Sequence, residues 1–330
     1  MSRAAIEENF WRGRRVFITG CTGFLGSWLT AALLDRGAAV TGLIRALEAD
    51  SQLVSTGLID RIDQVSGDLL NYELLKRSLV ERNIDTVFHL AGQTIVGVAN
   101  REPVETFETN IRGTWLLLEA VRHTPAVRGV VVASSEKAYG EQLNLPYRED
   151  YPLQGRHPYE VSKSCADLIA QSFAHTYGLA IAVTRCSNLF GGGDLNWNRL
   201  IPGTIKSVLN RERPVLRSDG SFRRDYLYVA DAVRGYLMLA EKLTEPEVRG
   251  LPFNLGSGCG VSALEVAQTI VSLSDHPELE PIILDDVKHE IMDEFLSPER
   301  AMKAVGWTPQ YTLAGGLKEA MSWYRAYLDL

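Results

Sequence analysis

Three glycines, in Gly20-Cys21-Thr22-Gly23-Phe24-Leu25-Gly26, stand between a short apolar run, Val16-Phe17-Ile18, and a helical pattern. That pattern puts Leu25, Trp28, Leu29, Ala32 and Leu33 on one face, and Gly37 is placed to end it. The segment therefore predicts a strand, a tight turn and a helix. Gly20 permits the turn, Gly23 lets backbone approach a pyrophosphate, and Gly26 allows the helix to pack closely on the strand. The helix start offers free N–H groups and the favourable end of its dipole to a phosphate. Thr22, Phe24 and Leu25 complete the expected wrap. The spacing is GxxGxxG, one residue longer at its first interval than the commoner dinucleotide fingerprint.

The same alternation continues through the first half of the chain. Ala39 to Ile44, Thr86 to Leu90 and Gly129 to Ala133 read as strands, separated by helical stretches near 72–82, 105–123 and 159–177. Wholly apolar strands alternating with helices predict an α/β fold, a doubly wound parallel sheet covered on both faces. Ile181 to Arg185 is a further strand, after which Gly191-Gly192-Gly193-Asp194, Arg217-Ser218-Asp219-Gly220 and Leu251 to Gly260 read as loops. The expected organisation is a dinucleotide-binding Rossmann domain over 1–180 and a mainly substrate-binding α/β lobe over 181–330. The second is discontinuous, with some segments returning to the sheet.

Composition narrows the partners. A net charge of −7 argues against nucleic acid or an anionic membrane surface, since either would need a basic excess. The four cysteines, Cys21, Cys165, Cys186 and Cys259, show no CxxC spacing, so neither a zinc site nor a disulfide framework is expected. The N-terminus has no apolar leader core and no run approaches a membrane span, which predicts a cytoplasmic protein. No metal is expected.

The second strand ends at Ile44 and Arg45, with no acid before Glu48. An acid there would bind the adenosine ribose of NAD, whereas a basic residue suits the 2′-phosphate of NADP. Both cofactors remain open. Tyr159-Glu160-Val161-Ser162-Lys163 is a YxxxK that places both functional groups on one helix face. Lys163 beside Tyr159 would favour phenolate and ready it to take a proton from a substrate hydroxyl. Just past the strand 129–133, Ser134-Ser135-Glu136-Lys137 falls where open parallel sheets bind ligands, and Ser135 would hydrogen-bond the same oxygen as Tyr159.

With these residues in view, the chain resembles the extended short-chain dehydrogenase/reductases, in their NDP-sugar epimerase and dehydratase group. Further marks are Gly67-Asp68, His89-Leu90-Ala91-Gly92-Gln93, Asn110-Ile111-Arg112-Gly113-Thr114, Arg185 to Gly191, Arg224-Asp225-Tyr226, Val229-Ala230-Asp231 and Gly306-Trp307. The resemblance implies that Asp68 and Leu69 meet the adenine. Leu90, Ala91, Gly92, Gln93 and Asn110 would line a tightly bound, recycled cofactor together with Tyr159 and Lys163. Gln93, Ser135, Asn188, Arg199, Leu200 and Arg224 would face a nucleotide-diphosphate sugar. It also implies a homodimer built on the helices near 105–123 and 159–177.

Within the group, Phe10 to Phe17, Gly26-Ser27-Trp28-Leu29, Gly192-Gly193-Asp194 and Arg199-Leu200-Ile201-Pro202 are most similar to the CDP-glucose and GDP-mannose 4,6-dehydratases. Such enzymes oxidise C4, eliminate water across C5 and C6, and return hydride to C6. Glu136 is the expected acid for the C6 hydroxyl. Lys137 is the expected base for the C5 proton, provided its pKa falls towards 7. Glutamate departs from the aspartate usual at position 136. An NDP-sugar epimerase acting at C4 or C2, an NDP-hexuronate decarboxylase and a non-catalytic dinucleotide sensor are the alternatives.

Overall fold

Seven strands form one parallel sheet in the computed structural model, which describes residues 10–286 and 291–330. Counting only this sheet, the strands are β1 (Arg15–Thr19), β2 (Ala39–Ile44), β3 (Asp63–Ser66), β4 (Thr86–His89), β5 (Gly129–Ala133), β6 (Ile181–Cys186) and β7 (Pro252–Leu255). Their order is β7-β6-β5-β4-β1-β2-β3. The direction of winding reverses between β1 and β4, and the crevice outside the C-terminal ends there is where such sheets hold ligands.

Burial on both faces explains the apolar strands. On one face Trp11, Leu29, Leu33, Tyr236 and Trp307 pack together; on the other, Leu75, Leu117, Leu118 and Ala170 do so. A third core, with Phe190, Ile201, Ile205, Ile270, Leu317 and Tyr324, belongs to the C-terminal half. The first helix, Phe24–Asp35, joins it to the sheet, because Phe24, Leu25 and Trp28 pack against that third core.

Two strands escaped the sequence pattern. β3 is an edge strand with only Val65 buried, so it lacks an apolar signature. β7 lies in the stretch 251–260 expected to be loop, yet all four of its residues are buried beside β6. Four residues are too few to show a period, and the Pro that opens the strand and the Gly and Ser that flank it dominate the local signal. The helix expected over 105–123 is also interrupted. Pro103–Phe107 is followed by a π-helical turn, Glu108–Arg112, before Gly113–Arg122. Such turns often mark functional positions, and this one turns Asn110 inward, leaving it 2% exposed. The segment expected to lack an apolar leader core lies, over residues 1–9, outside the described residues. Among the described residues no helix is long and apolar enough to cross a membrane.

A buried polar spine ties the switch point together. His89 at the end of β4 has Nδ1 2.8 Å from Thr19 Oγ1 on β1 and Nε2 3.0 Å from Thr114 Oγ1. Thr114 in turn donates to the Asn110 carbonyl at 2.6 Å. Burial, and then the Lys163 charge, push the His89 pKa down to about 3. The unfolded chain takes up a proton near pH 6.5 that the folded chain refuses. Stability is therefore lost as pH falls from about 6.5 towards the folded value, by roughly 1.4 kcal/mol per pH unit. We expect nitrogen NMR to find the His89 ring neutral at about pH 5, and His89→Gln to flatten the stability profile over that window. A protonated ring at that pH in the folded protein would contradict this spine.

Candidate active site

β1 ends at Thr19, and the chain turns through Gly20 at φ 77°, where a Cβ would stand 2.7 Å from the Ala91 nitrogen. A Cβ on Gly26 would stand 2.0 Å from the Gly20 carbonyl oxygen, so helix and turn are in backbone contact. Gly23 differs. Its φ is −74°, and a Cβ there meets the Gly20 oxygen at an ordinary 3.4 Å. Gly23 is the N-cap of Phe24–Asp35, and no side chain caps that helix. The first-turn N–H groups of Phe24, Leu25 and Gly26 have no acceptor within the helix. The turn thus has both the room and the positive edge that a pyrophosphate needs.

The other expected cofactor residues lie along the same sheet edge. Thr22 accepts a hydrogen bond from Ser51 Oγ at 2.7 Å, folding the segment after β2 onto the glycine turn. Arg45 is exposed immediately after β2. Asp68, past β3, accepts from the Leu70 nitrogen at 2.8 Å, and Leu69 is buried against Gly113. After β4, the Leu90 and Ala91 nitrogens donate to the Thr19 carbonyl and hydroxyl at 3.0 and 3.3 Å. A Cβ on Gly92 would approach Asn110 Oδ1 to 3.0 Å. Asn110 clamps Gln93, accepting from its nitrogen at 2.7 Å and donating to its carbonyl at 3.0 Å. Its amide also donates to Ser162 Oγ at 2.9 Å, and Ser162 donates to the Tyr159 carbonyl at 2.7 Å.

Tyr159 and Lys163 lie one turn apart in Pro158–Tyr177. Burial raises the Tyr159 pKa; the hydrogen bond with Ser135 is the largest opposing influence, followed by the charges of Arg199 and Lys137. The sequence pattern expected Lys163 to be the cation acting on the phenol. In the structure its ammonium donates to the Ala133 carbonyl at 3.0 Å, and burial lowers its pKa to about 8. The cations favouring phenolate come from other elements.

Ser135 caps the short helix Glu136–Tyr139 and accepts from the Lys137 nitrogen at 3.2 Å. Glu136 points inward at 2% exposure. Its Oε1 accepts from Asn188 Nδ2 at 2.6 Å, and its Oε2 is buried without a hydrogen-bond partner. Burial first, and then the negative charge of Glu294, hold its pKa well above the carboxyl range. Glu136 thus holds a proton more tightly than an ordinary carboxyl does. Lys137 does not behave as expected. Burial works to lower its pKa, but the charges of Glu294 and Glu136 outweigh burial and raise it. It is a firm ammonium in contact with Glu294, not a free amine near neutrality.

Glu294 was missed by sequence reasoning. It sits in a two-residue strand, Asp293–Glu294, paired with Arg223–Arg224, and no motif or period announces it. Arg224 Nε lies 3.8 Å from its carboxylate, and Arg224 Nη1 donates to the Met292 carbonyl at 3.1 Å. Asp225 is structural: its carboxylate accepts from Ser257 Oγ at 2.7 Å and from the Leu296 nitrogen at 3.2 Å. Arg199 pairs with the buried Asp194 at 2.9 Å, keeping its own side chain 40% exposed. Leu200 packs into the third core. Ser135, Glu136, Lys137, Tyr159, Asn188, Arg199 and Arg224 therefore form one electrostatically linked cluster. Among the described residues no group of three His, Cys, Asp or Glu side chains could hold a metal ion.

The glycines separate two effects that are usually confounded. Gly23→Val is expected to fold normally, because only ordinary contact awaits its Cβ, yet to lose binding of nicotinamide dinucleotides. Gly26→Ala drives Cβ into backbone and is expected to destabilise the fold by at least the ~1–3 kcal/mol typical of overpacking. Thermal unfolding and cofactor fluorescence titration check both. Undiminished binding in Gly23→Val would remove the phosphate assignment.

Residues 16–256 match the NAD dependent epimerase/dehydratase family. The chain is 32% identical to CDP-glucose 4,6-dehydratase of Salmonella typhimurium, over 98% of this chain and 94% of that relative. Among solved structures it is similar to UDP-glucose 4-epimerase of Thermotoga maritima with UDP-glucose, at a TM-score of 0.86 and 26% identity, covering 95% of this chain and 99% of the other. It is also similar to dTDP-glucose 4,6-dehydratase of Bacillus anthracis in complex with NAD, at a TM-score of 0.84 and 26% identity, covering 96% and 98%. With its glycine turn, its Ser135-Tyr159-Lys163 set and this match, the chain belongs to the NAD dependent epimerase/dehydratase family.

Proposed function

We propose that this protein dehydrates a nucleotide-diphosphate hexose to its 4-keto-6-deoxy derivative, with NAD or NADP bound and recycled. The observation that carries the reading is Glu136: a buried carboxyl whose pKa is pushed up by burial, its Oε2 without a hydrogen-bond partner, one residue after Ser135 and close enough for its charge to act on Tyr159. Elimination of the C6 hydroxyl needs such a proton donor. A cofactor sensor has no need of it.

Tyr159 takes the proton of the C4 hydroxyl, and Ser135 hydrogen-bonds the same oxygen. The bound nicotinamide supplies the acceptor and later the donor of hydride. A ketone at C4 acidifies the C5 proton, and Glu136 then delivers its proton to the departing C6 oxygen. Arg224 and Arg199 suit the diphosphate, Arg224 through a planar fork matched to phosphate oxygens. Asn188 orients Glu136 through their 2.6 Å hydrogen bond. In this reading residues 1–180 bind the dinucleotide and 181–330 mainly bind the sugar nucleotide. One observation favours C4 epimerisation instead: Lys137 is an ammonium, so the resting site holds no free amine for the C5 proton. Epimerisation needs only Tyr159, Ser135 and Lys163.

The CDP-, GDP-, UDP- and dTDP-hexoses offered in deuterated water distinguish these outcomes. We expect one of them to yield a 4-keto-6-deoxy sugar labelled at C5; inverted stereochemistry at unchanged mass would establish epimerisation. Tyr159→Phe should slow the first oxidation by about 10²–10⁴-fold. Glu136→Gln should instead reduce the bound cofactor normally on adding substrate, yet release product slower by a similar factor.

We further propose a two-fold homodimer through the helices around 103–122 and 158–177. Val104, Trp115 and Leu168 stand exposed there at 74%, 43% and 56%. Light scattering should return about twice the 36.6 kDa chain mass, and Trp115→Glu with Leu168→Glu should return the monomer. A monomeric parent protein would count against the assembly.

A further inference from the structure

Glu294 has no part in the chemistry above, yet it is built into its centre. It is fully buried, its Oε2 contacts the Lys137 ammonium, and its Oε1 has no hydrogen-bond partner. Buried carboxylate oxygens are rarely left unpaired without a use. Among the described residues, the charged and titratable groups acting in this cluster are Lys137, Glu136, Arg199, Arg224, Asp225, Tyr147 and Tyr159. Of these, Lys137 alone holds a proton that it can pass directly to Glu294 across an existing contact.

Resting on the dehydratase reading, we propose that Glu294 is a positioning residue of the elimination step: it receives a proton from Lys137 and so leaves the amine that removes the C5 proton. The Nζ–H bond breaks, an Oε2–H bond forms, and the ion pair becomes a neutral pair. The Nζ lone pair then takes the C5 proton while the C5–H electron pair moves between C5 and C6. The C6–O bond breaks, and the Glu136 proton leaves with that oxygen as water. C6 next receives the hydride removed from C4, and C5 takes a proton from Nζ, whose protons have exchanged with solvent. Glu294 hands its proton back to Lys137, and the proton collected by Tyr159 restores Glu136 through solvent. Substrate couples to the transfer through Arg224, 3.8 Å from Glu294. A diphosphate that engages this guanidinium draws away the second cation stabilising the Glu294 anion, which favours transfer only when substrate is present.

The test compares wild type, Glu294→Gln and Glu294→Asp in the full-length protein with CDP-glucose, following cofactor reduction and C5 deuterium exchange separately. Glutamine keeps the shape but cannot take the proton. We expect Glu294→Gln to reduce the cofactor normally while elimination slows about 10²–10⁴-fold. Elimination in that variant should also become pH-dependent: Lys137 must now lose its proton to water, so the rate rises up to about tenfold per pH unit and levels off below the ordinary lysine pKa, because burial is no longer opposed by the Glu294 charge. Normal cofactor reduction doubles as the control for folding. Glu294→Asp keeps a carboxylate and should restore the flat profile of the wild type at a partial rate.

Wild-type turnover in Glu294→Gln would overturn the inference and leave the dehydratase reading standing. Equal loss of reduction and elimination would also overturn it, as would the Gln pH profile appearing in Glu294→Asp, since a merely structural role predicts both. A wild type that reduces its cofactor with CDP-glucose but forms no 4-keto-6-deoxy sugar would overturn the dehydratase reading, and this inference with it.

Discussion

The rest of the structure depends on one backbone contact, between the first helix and the turn that precedes it. With 2.0 Å between the Gly20 carbonyl oxygen and the place of a Cβ on residue 26, no side chain fits. The contact fixes the helix start beside the point where the sheet reverses its winding. There its uncapped N–H groups serve an anion instead of a neighbouring side chain. The same helix carries Trp28, whose indole donates to the Gly192 carbonyl at 2.8 Å. Through that bond, and through the packing of Phe24 and Leu25 on the third core, the phosphate turn and the C-terminal half share one rigid element.

On that frame the site is an arrangement of displaced pKa values. Burial pushes the pKa values of Glu136 and Tyr159 up, and neighbouring charge decides how far each is displaced. Two carboxyls close together in a dry place do not both ionise readily. Glu294 lies against Lys137 and Arg224, and its charge helps to push the Glu136 carboxyl up. The departure at position 136, a glutamate in place of aspartate, is accommodated because Asn188 reaches its carboxyl at 2.6 Å. The longer side chain is held instead of left to wander.

The sequence made legible what depends on local pattern. β1, β2, β4, β5 and β6 are apolar runs, the glycine turn has a mechanical reason for each glycine, and Tyr159 and Lys163 are one helical turn apart. What stayed hidden depends on tertiary placement. β7 is a strand because Phe253 and Leu255 are buried beside β6, not because its four residues show a period. The charge on Lys137 could not be read from its neighbours in the chain, because Glu294, 157 positions away, decides it. The phenol likewise answers to Arg199 and Lys137, where local spacing pointed to Lys163.

In the proposed reaction the oxidation at C4 serves an elimination. CDP-glucose carrying deuterium at C4 tests it most directly, with the product examined by NMR and mass spectrometry. We expect the deuterium to move within the same molecule to the C6 methyl group of a 4-keto-6-deoxy sugar, with loss of one water. Deuterium found back on C4, in a sugar of unchanged mass and inverted configuration, would contradict it.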